Sequence, residues 1–235
     1  MNESITFIPF SRLLIIFIPV GLLIFILHSW YLDWKNSLYA IFRMLIQLMI
    51  IGYFLTYIFL SDNVFIILTI LISMVLIASW IALGSVSEDR SISIKYAFIS
   101  IMIGGGLTLL LVTQFVLKLD PWYMPRYMIP IAGMIFASSM NGVSLAAERL
   151  KAELERNINH DKAKGIAFRA SLIPITNSLF AVGLVSLPGM MTGQILSGIS
   201  PHVAVRYQIM VMCMIFSAAG LSSYLFLRMF KPNKD

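Results

Sequence analysis

Charged side chains are scarce in this sequence. Asp, Glu, Lys and Arg make up 12% of its 235 residues, hydrophobic residues make up 59%, and the mean hydropathy is +0.89. A soluble domain carries about 25% charged residues. So little charge cannot give a soluble globule a polar surface, but it suits a protein whose outer surface faces lipid. The composition therefore predicts an integral protein of the cytoplasmic membrane.

The sequence also lacks the residues and motifs that disulfides, zinc sites, ATP hydrolysis and common forms of catalysis require. Cys213 is the only cysteine, which excludes an intrachain disulfide and a cysteine zinc site. No stretch matches the phosphate-binding motif G-x-x-x-x-G-K-[ST], and no Glu-Glu or His-Glu helix motif or nucleophile elbow occurs. We therefore expect no catalytic residues, no cofactor bound by this chain and no ATP hydrolysis by that route.

The net charge of +6 arises from basic residues placed between apolar runs. In a membrane protein such residues set the topology and meet anionic lipid, and no basic groove or aromatic ladder indicates nucleic acid. We therefore expect a lipid bilayer as a partner and no nucleic acid.

Seven apolar runs have about the 20 residues that a helix needs to cross a bilayer. The first is predicted to be a retained helix, because Met1 to Phe10 lacks the basic region and cleavage site of a signal peptide. The runs predict an all-α, polytopic bundle of about seven spans that forms one transmembrane domain over residues 1–235. The runs are approximately Ser11–Trp30, Leu38–Leu60, Val64–Gly84, Tyr96–Leu117, Tyr127–Ala147, Ala170–Leu187 and Tyr207–Phe230.

Lys and Arg predict the orientation of these spans, because they concentrate on the cytoplasmic side. With the N-terminus outside, 13 of the 17 basic residues lie on the inner side and 4 on the outer side. The C-terminus is then cytoplasmic.

The largest polar insertion, residues 148–169, falls on the predicted cytoplasmic side. It continues the fifth span as an amphipathic helix with Leu150, Leu154 and Ile158 on one face. This apolar stripe either folds back on the protein or the lipid interface, or docks a partner. If a partner docks there, Arg156 is a further candidate contact.

Ionisable groups are missing from the interior of the apolar runs. All eleven acids lie at or beyond the run ends, so no buried carboxylate is available to couple transport to protons or sodium. The absence favours an external energy source. The polar side chains that remain inside the runs, and that we predict to line a translocation pathway, include Gln47, Asn141, Asn177 and Gln208.

The segment from Pro188 to Gly198 is apolar but contains a proline and several glycines. It is either an outer loop or a broken helix that enters the bilayer, where irregular backbone is tolerated only if protein or water covers it. In the second case it lines the pathway, with Thr192 and Gln194 facing the solute and Met190 or Met191 as a gate.

A weak metal site is conceivable where Met210, Cys213 and Met214 share a helical face, since thiol and thioether ligands favour soft ions. Packing in the membrane core is the competing interpretation of these residues.

Three strings in the sequence together resemble one family. They are Arg43-Met44-Leu45-Ile46-Gln47-Leu48, Ile129-Pro130-Ile131-Ala132-Gly133-Met134-Ile135, and Val182-Gly183-Leu184-Val185-Ser186-Leu187-Pro188-Gly189-Met190-Met191-Thr192-Gly193. They are similar to the FetB-like family of ABC permeases, which is linked to iron export in bacteria and has plant relatives implicated in UDP-glucose transport and aluminium tolerance. The likeness covers nearly the whole chain from the second run onward.

The resemblance implies a permease subunit that exports iron or another metal ion and pairs with a separate cytoplasmic ABC ATPase, which supplies the ATP. It also implies a homodimer of permeases, with the ATPase docked on residues 148–169. Export of a nucleotide-sugar or other small polar solute remains open, as does a passive channel or carrier. The sequence departs from the family at Phe136-Ala137-Ser138, and the stretch from Asn157 to Arg169 is shortened.

Overall fold

The structure is a computed structural model that describes residues 8–60, 63–84 and 90–230, with side chains described from Ser93 onward in the last range. Within these ranges the chain is almost entirely helical and contains no β-strand, which confirms the all-α prediction. The chain divides into two compact units, Met1–Ser61 and Asp62–Asp235. The prediction of one domain over residues 1–235 stays a prediction.

The first unit contains two long apolar segments. Asp33 begins the second of them, because its carboxylate accepts a hydrogen bond of 3.2 Å from the backbone N–H of Asn36. No side chain on these helices is buried, so many of their large apolar side chains are exposed. Its elements are α1 (Phe10–Leu13), a 3₁₀ turn (Leu14–Ile16), α2 (Phe17–Ser29), which packs against the next helix, and α3 (Trp34–Phe59).

The second unit is a helical bundle with a buried core. Its elements are α4 (Val64–Ala82), α5 (Arg90–Leu110) with a π-helical extension (Leu111–Val116), α6 (Pro125–Glu155), α7 (His160–Ala181), α8 (Gly189–Leu196) and α9 (Pro201–Met229). The most extensive contact joins α6 to α9, while α5 packs on α9 and α7 packs on both α6 and α9. Ile135, Val143 and Phe226 are no more than 1% exposed in this core.

Six of the described helices are long and apolar enough to cross a membrane. The predicted sixth run, Ala170–Leu187, is part of α7, which begins earlier and ends at Ala181. With 22 residues at about 1.5 Å each, α7 reaches about 33 Å. Its first half is polar, and α7 is not among the six candidate spans of the described residues, so the seventh predicted span stays a prediction. The chain is a multi-pass membrane protein.

A helix–turn–helix replaces the continuous helix expected at residues 148–158. Within α6 the i,i+4 ion pairs Arg149–Glu153 and Lys151–Glu155 form at 2.6 Å and 3.9 Å. The helix then ends at Glu155 because Asn157 adopts φ 59°, and the N–H groups of Asn157 and Ile158 return to the carbonyls of Leu154 and Glu153. This is a Schellman end with asparagine at the left-handed position.

The predicted docking stripe is divided by this turn. Leu150 is 1% exposed, and Ala163 and Ala167 of α7 are fully buried in the same hairpin. Leu154 and Ile158 are half-buried and Arg156 is exposed. Leu150 therefore packs inside the protein and is not available to a partner, whereas the turn residues remain candidates.

The glycine-containing segment after Pro188 forms α8, a helix of 8 residues that packs against α9. Pro188 precedes its first turn, and Gly198 ends it with φ 89° while the N–H of Ile199 returns to the carbonyl of Gln194. At about 1.5 Å per residue α8 is about 12 Å long, too short to cross a bilayer. The breakers therefore bound a short helix instead of interrupting a long one.

Candidate functional site

A half-open cavity of about 180 Å³ lies where α6, α7 and α9 meet. Its wall on α6 lies near the middle of that 31-residue helix, and α9 contributes Ala219 behind it. Its lining combines apolar residues with three serines and an asparagine, and polar groups between membrane-crossing helices need protein or water to satisfy them. The cavity is therefore the first place to look for a solute site.

The lining follows from helical spacing. Ser138, Asn141 and Leu145 recur at intervals of three and four residues on α6, and Ser171, Ile175 and Ser178 do the same on α7. Residues spaced in this way share one face of a helix. The tight turn makes the two helices antiparallel neighbours, so both faces meet. The lining residues are placed symmetrically in the sequence about position 158, which lies in the turn. The symmetric pairs are Ser138 with Ser178, Asn141 with Ile175, and Leu145 with Ser171.

The hydrogen bonds at the cavity leave oxygen acceptors free. The hydroxyl of Ser171 donates to the carbonyl of Phe168 at 2.8 Å, and that of Ser178 donates to the carbonyl of Pro174 at 3.0 Å. Their protons are used within α7, while their lone pairs remain. Ser138 and Asn141 take part in none of the side-chain hydrogen bonds found among the described residues. The cavity thus offers four side-chain oxygens and carries no ionisable lining group.

Close packing of α9 makes the back wall rigid. A Cβ atom on Gly142, which lines the cavity, would lie 2.6 Å from the hydroxyl of Ser223 and 3.0 Å from the carbonyl oxygen of Ala219. Ser223 is fully buried and its hydroxyl has no hydrogen-bond partner. The neighbouring Ser222 donates its hydroxyl to the hydroxyl of Ser139 at 3.0 Å.

The structure separates the predicted pathway residues. Asn141 lies in the cavity, and Asn177 is exposed on α7 beside the lining residue Ser178. Gln208 is 5% exposed near the start of α9. Gln47 is exposed on α3 of the first unit. Their roles in transport stay predictions.

Two amide oxygens near α8 are buried without a partner. They are the Oε1 atoms of Gln194 on α8 and of Gln208 on α9, and α8 and α9 pack together. Thr192 donates its hydroxyl to the carbonyl of Pro188 at 3.1 Å. On the same short helix Met190 and Met191 are half-buried, and their proposed function as a gate stays a prediction.

The three candidate metal ligands, Met210, Cys213 and Met214, differ in burial. Met214 is 2% exposed and Met210 is half-buried, whereas the thiol residue Cys213 is exposed. In the part of the chain that the structure describes, no three His, Cys, Asp or Glu side chains come together as metal ligands.

Sequence reasoning missed Ser171 and Ser178. Serines within an apolar run carry no signal of their own, because they satisfy their hydroxyl proton on the preceding turn of the helix. The usable signal was the three- and four-residue spacing of Ser171, Ile175 and Ser178, which mirrors the spacing of lining residues on α6 across a turn at position 158. It becomes visible only when α6 is known to end at Glu155.

The chain matches the family model described as "Uncharacterised protein family (UPF0014)" over residues 10–164 and 160–233. It is 37% identical over 208 residues to the "Probable iron export permease protein FetB" of Escherichia coli (strain K12), which covers 80% of this chain and 77% of that protein. It is 36% identical over 196 residues to the "UPF0014 membrane protein slr1647" of Synechocystis, covering 77% and 76%.

A plant protein is similar over an even longer stretch. The "Protein ALUMINUM SENSITIVE 3" of Arabidopsis thaliana is 32% identical over 227 residues, which is 87% of this chain and 82% of the relative. No solved structure matches the chain. The family match covers nearly every residue from the first helix to the last, and the predicted resemblance to FetB-like proteins is confirmed. The chain belongs to the UPF0014 family of multi-pass membrane proteins.

Proposed function

We propose that this protein is the membrane-spanning permease subunit of an ABC-type exporter of iron or another metal ion. The observation that carries the proposal is the similarity over 80% of the chain to a protein named as a probable iron export permease. The family match over residues 10–164 and 160–233 includes the helices that build the cavity between α6, α7 and α9.

The energy source is proposed to be a separate ATPase. The sequence has no phosphate-binding loop of its own. All eleven acids lie at or beyond the ends of the apolar runs, so the usual carboxylate for proton or sodium coupling is missing from them. A permease driven by the ATPase of another chain accounts for both absences.

Two copies of the permease are proposed to form the translocation unit. The supporting observation is a series on α6 with a spacing of four residues, formed by Gly133, Ala137 and Asn141. Gly133 is half-buried, whereas Ala137 and Asn141 are exposed. Small residues at this spacing allow two helices to approach closely in a membrane. Counting photobleaching steps of single labelled complexes in nanodiscs tests the proposal, because a monomer would give one step only.

The export activity is tested in inside-out membrane vesicles from cells that produce the protein together with the ATPase that copurifies with it. We expect radioactive Fe²⁺ to accumulate with ATP and not with a non-hydrolysable analogue. Vesicles from cells lacking the permease gene are the control. Accumulation driven by a proton gradient without ATP would instead indicate a carrier, and energy-independent equilibration would indicate a channel.

A further inference from the structure

We propose that the exposed face of α7 and the turn that follows it contact a second copy of the chain inside the membrane, with the Asn177 amides of the two copies hydrogen-bonded to each other. The turn, residues 182–188, is called the α7–α8 break. This inference rests on the two-copy arrangement of the proposed function. It adds the surface through which the copies meet.

The packing of α7 on α9 fixes the level at which α7 ends. The ring of Phe168 lies 6.2 Å from that of Tyr224. One turn further along α7, Cδ2 of Leu172 lies 3.6 Å from the position that a Cβ atom on Gly220 would take. Four residues forward on α7 thus match four residues back on α9, as in an antiparallel pair. Continued to its end, this register places the last residue of α7 level with Val211.

The charges of α9 place that level inside the bilayer. Residues 207–227, between Arg206 and Arg228, carry no charge. At about 1.5 Å per residue the two arginines are about 33 Å apart, close to a hydrocarbon core of about 30 Å. Val211 follows Arg206 by five residues (211 − 206), which is about 7.5 Å. The α7–α8 break therefore begins below the membrane boundary that Arg206 marks.

The neighbouring helix α6 gives the same boundary. Ser139 donates its hydroxyl to the carbonyl of Ala218 at 3.2 Å and accepts from the hydroxyl of Ser222 at 3.0 Å. Because α6 and α9 run in the same direction, Arg126, which precedes Ser139 by 13 residues (139 − 126), lies level with positions 205 to 209 of α9. Arg206 falls within this range, so both helices carry an arginine at one level.

The α7–α8 break has a backbone unsuited to lipid and side chains unsuited to water. The N–H groups of Leu184, Val185 and Ser186 all return to the carbonyl of Ala181, and the carbonyls of residues 182–185 accept none of the hydrogen bonds found among the described residues. Such backbone is tolerated at membrane depth only where protein or water covers it. Leu184 and Val185 are 89% and 84% exposed, and apolar side chains favour a cover of protein.

Asn177 identifies the covering protein as a second copy. Its side chain is exposed on α7 and takes part in none of the hydrogen bonds found in the described part of the chain. The register with α9 places it level with position 215, near the middle of the bilayer. An amide carries donors and an acceptor, so it is complementary to an identical amide across a two-fold axis. Polar side chains of this kind join helices in membranes.

The exposed residues of α7 adjoin the contact already proposed on α6. Ile173, Asn177 and Phe180 follow each other at four- and three-residue spacing, which puts them on one face of α7. All three are exposed. Ser178 lines the same cleft as Asn141, a member of the small-residue series of α6. The face of α7 and the series of α6 therefore belong to one surface.

Cross-linking of the full-length permease in isolated membranes tests this surface. Leu184→Cys and Val185→Cys, each in a Cys213→Ser background, should form disulfide-linked pairs of chains on oxidation with copper phenanthroline. Phe115→Cys in the same background is the matched control. Phe115 is 67% exposed on the π-helical extension of α5, outside the proposed contact, so this variant should remain a single chain.

A membrane-impermeant maleimide distinguishes a protein contact from a water-filled one. It should leave Leu184→Cys unlabelled in intact membranes. It should label Ile199→Cys, because Ile199 is exposed in the turn before α9, beyond the level of Arg206.

Asn177→Leu should raise the dissociation constant of the pair by about tenfold, because two hydrogen bonds between the amides are lost. The constant is obtained by counting photobleaching steps in large liposomes over a series of lipid dilutions. Ser217→Leu is the matched control, since Ser217 is exposed on α9 at nearly the same level as Asn177, and it should leave the constant unchanged.

Three results would overturn the inference: no cross-link at either position 184 or 185, labelling of Leu184→Cys as readily as Ile199→Cys, and an unchanged dissociation constant for Asn177→Leu. Two photobleaching steps without a cross-link would place the contact elsewhere and leave the two-copy arrangement standing. A single step for the unchanged protein would refute both. A cross-linked pair that exports no metal in the vesicle assay would refute the export function only.

Discussion

Gly104 and Gly142 mark the residues at which α9 comes nearest to its neighbours. A Cβ atom on Gly104 of α5 would lie 2.7 Å from the backbone nitrogen of Ser222, and one on Gly142 of α6 would lie 3.0 Å from the carbonyl oxygen of Ala219. Such distances exclude any side chain without a shift of the helices. Which helix packs at these glycines could not be known from the spacing of small residues alone.

Gly104→Ala is expected to destabilise the bundle by about 1–3 kcal/mol, because the new methyl group overlaps backbone atoms of α9 and forces the helices apart. Gly106→Ala is the matched control on the same helix, since nothing lies within 4 Å of its Cβ position. It should be neutral or stabilising by up to about 1 kcal/mol, because alanine favours helix. The measurement is the thermal unfolding midpoint of both variants in detergent. Equal midpoints would contradict the packing described for Gly104.

Helix ends, more than helix interiors, decide where the functional segments lie. α6 and α8 finish in the same Schellman arrangement, with Asn157 and Gly198 in left-handed conformations. The sequence predicted the amphipathic helix that continues the fifth span. It did not predict the stop at Glu155, because asparagine at a left-handed position is a weaker signal than glycine. That stop turns residues 148–169 into a hairpin and buries Leu150.

The turn of this hairpin is the predicted docking point for the ATPase. Ile158→Asp and Arg156→Glu are expected to reduce recovery of the ATPase with the tagged permease several-fold, because they remove an apolar contact and reverse an exposed charge. Ile199→Asp is the matched control, because Ile199 holds the position after α8 that Ile158 holds after α6. The distribution of basic residues predicts that Ile199 lies near the outer face, so this variant should leave recovery of the ATPase unchanged.

The unfolding midpoint of each variant separates docking from folding. Leu150→Ala should behave differently from the turn variants, because truncating a leucine that is 1% exposed costs about 2–5 kcal/mol of stability. Unchanged recovery of the ATPase with both turn variants would place the docking surface elsewhere.

At the scale of the whole molecule, apolar runs alone predicted the helical class and most spans. The boundaries of α7 were missed because its first half, from His160 to Arg169, is polar and reads as a loop. The cavity could not be predicted, since it depends on which faces of α6, α7 and α9 meet. Hydropathy predicts most of the membrane-crossing helices, and packing between their faces decides what they enclose.

The basic-residue asymmetry of 13 against 4 predicts an outer N-terminus and a cytoplasmic C-terminus. A fluorescent protein fused after Asp235, of a type that folds only in the cytoplasm, should be bright. An alkaline phosphatase fused at the same position should be inactive, because it requires the outer compartment. The reverse pattern would invert the whole topology and move the α6–α7 turn to the outer face.

The close contacts at Gly104 and Gly142 hold α9 tightly against both α5 and α6. Because α5 and α6 grip it through backbone on both sides, none of the three can revolve against another without atoms overlapping. Under the proposed export function, we therefore expect α5, α6 and α9 to keep their mutual packing throughout a transport cycle. A disulfide between α6 and α9, made by Ser139→Cys with Ser222→Cys in a Cys213→Ser background, should leave export intact after oxidation. Loss of export on oxidation would show that α6 and α9 move against each other during transport.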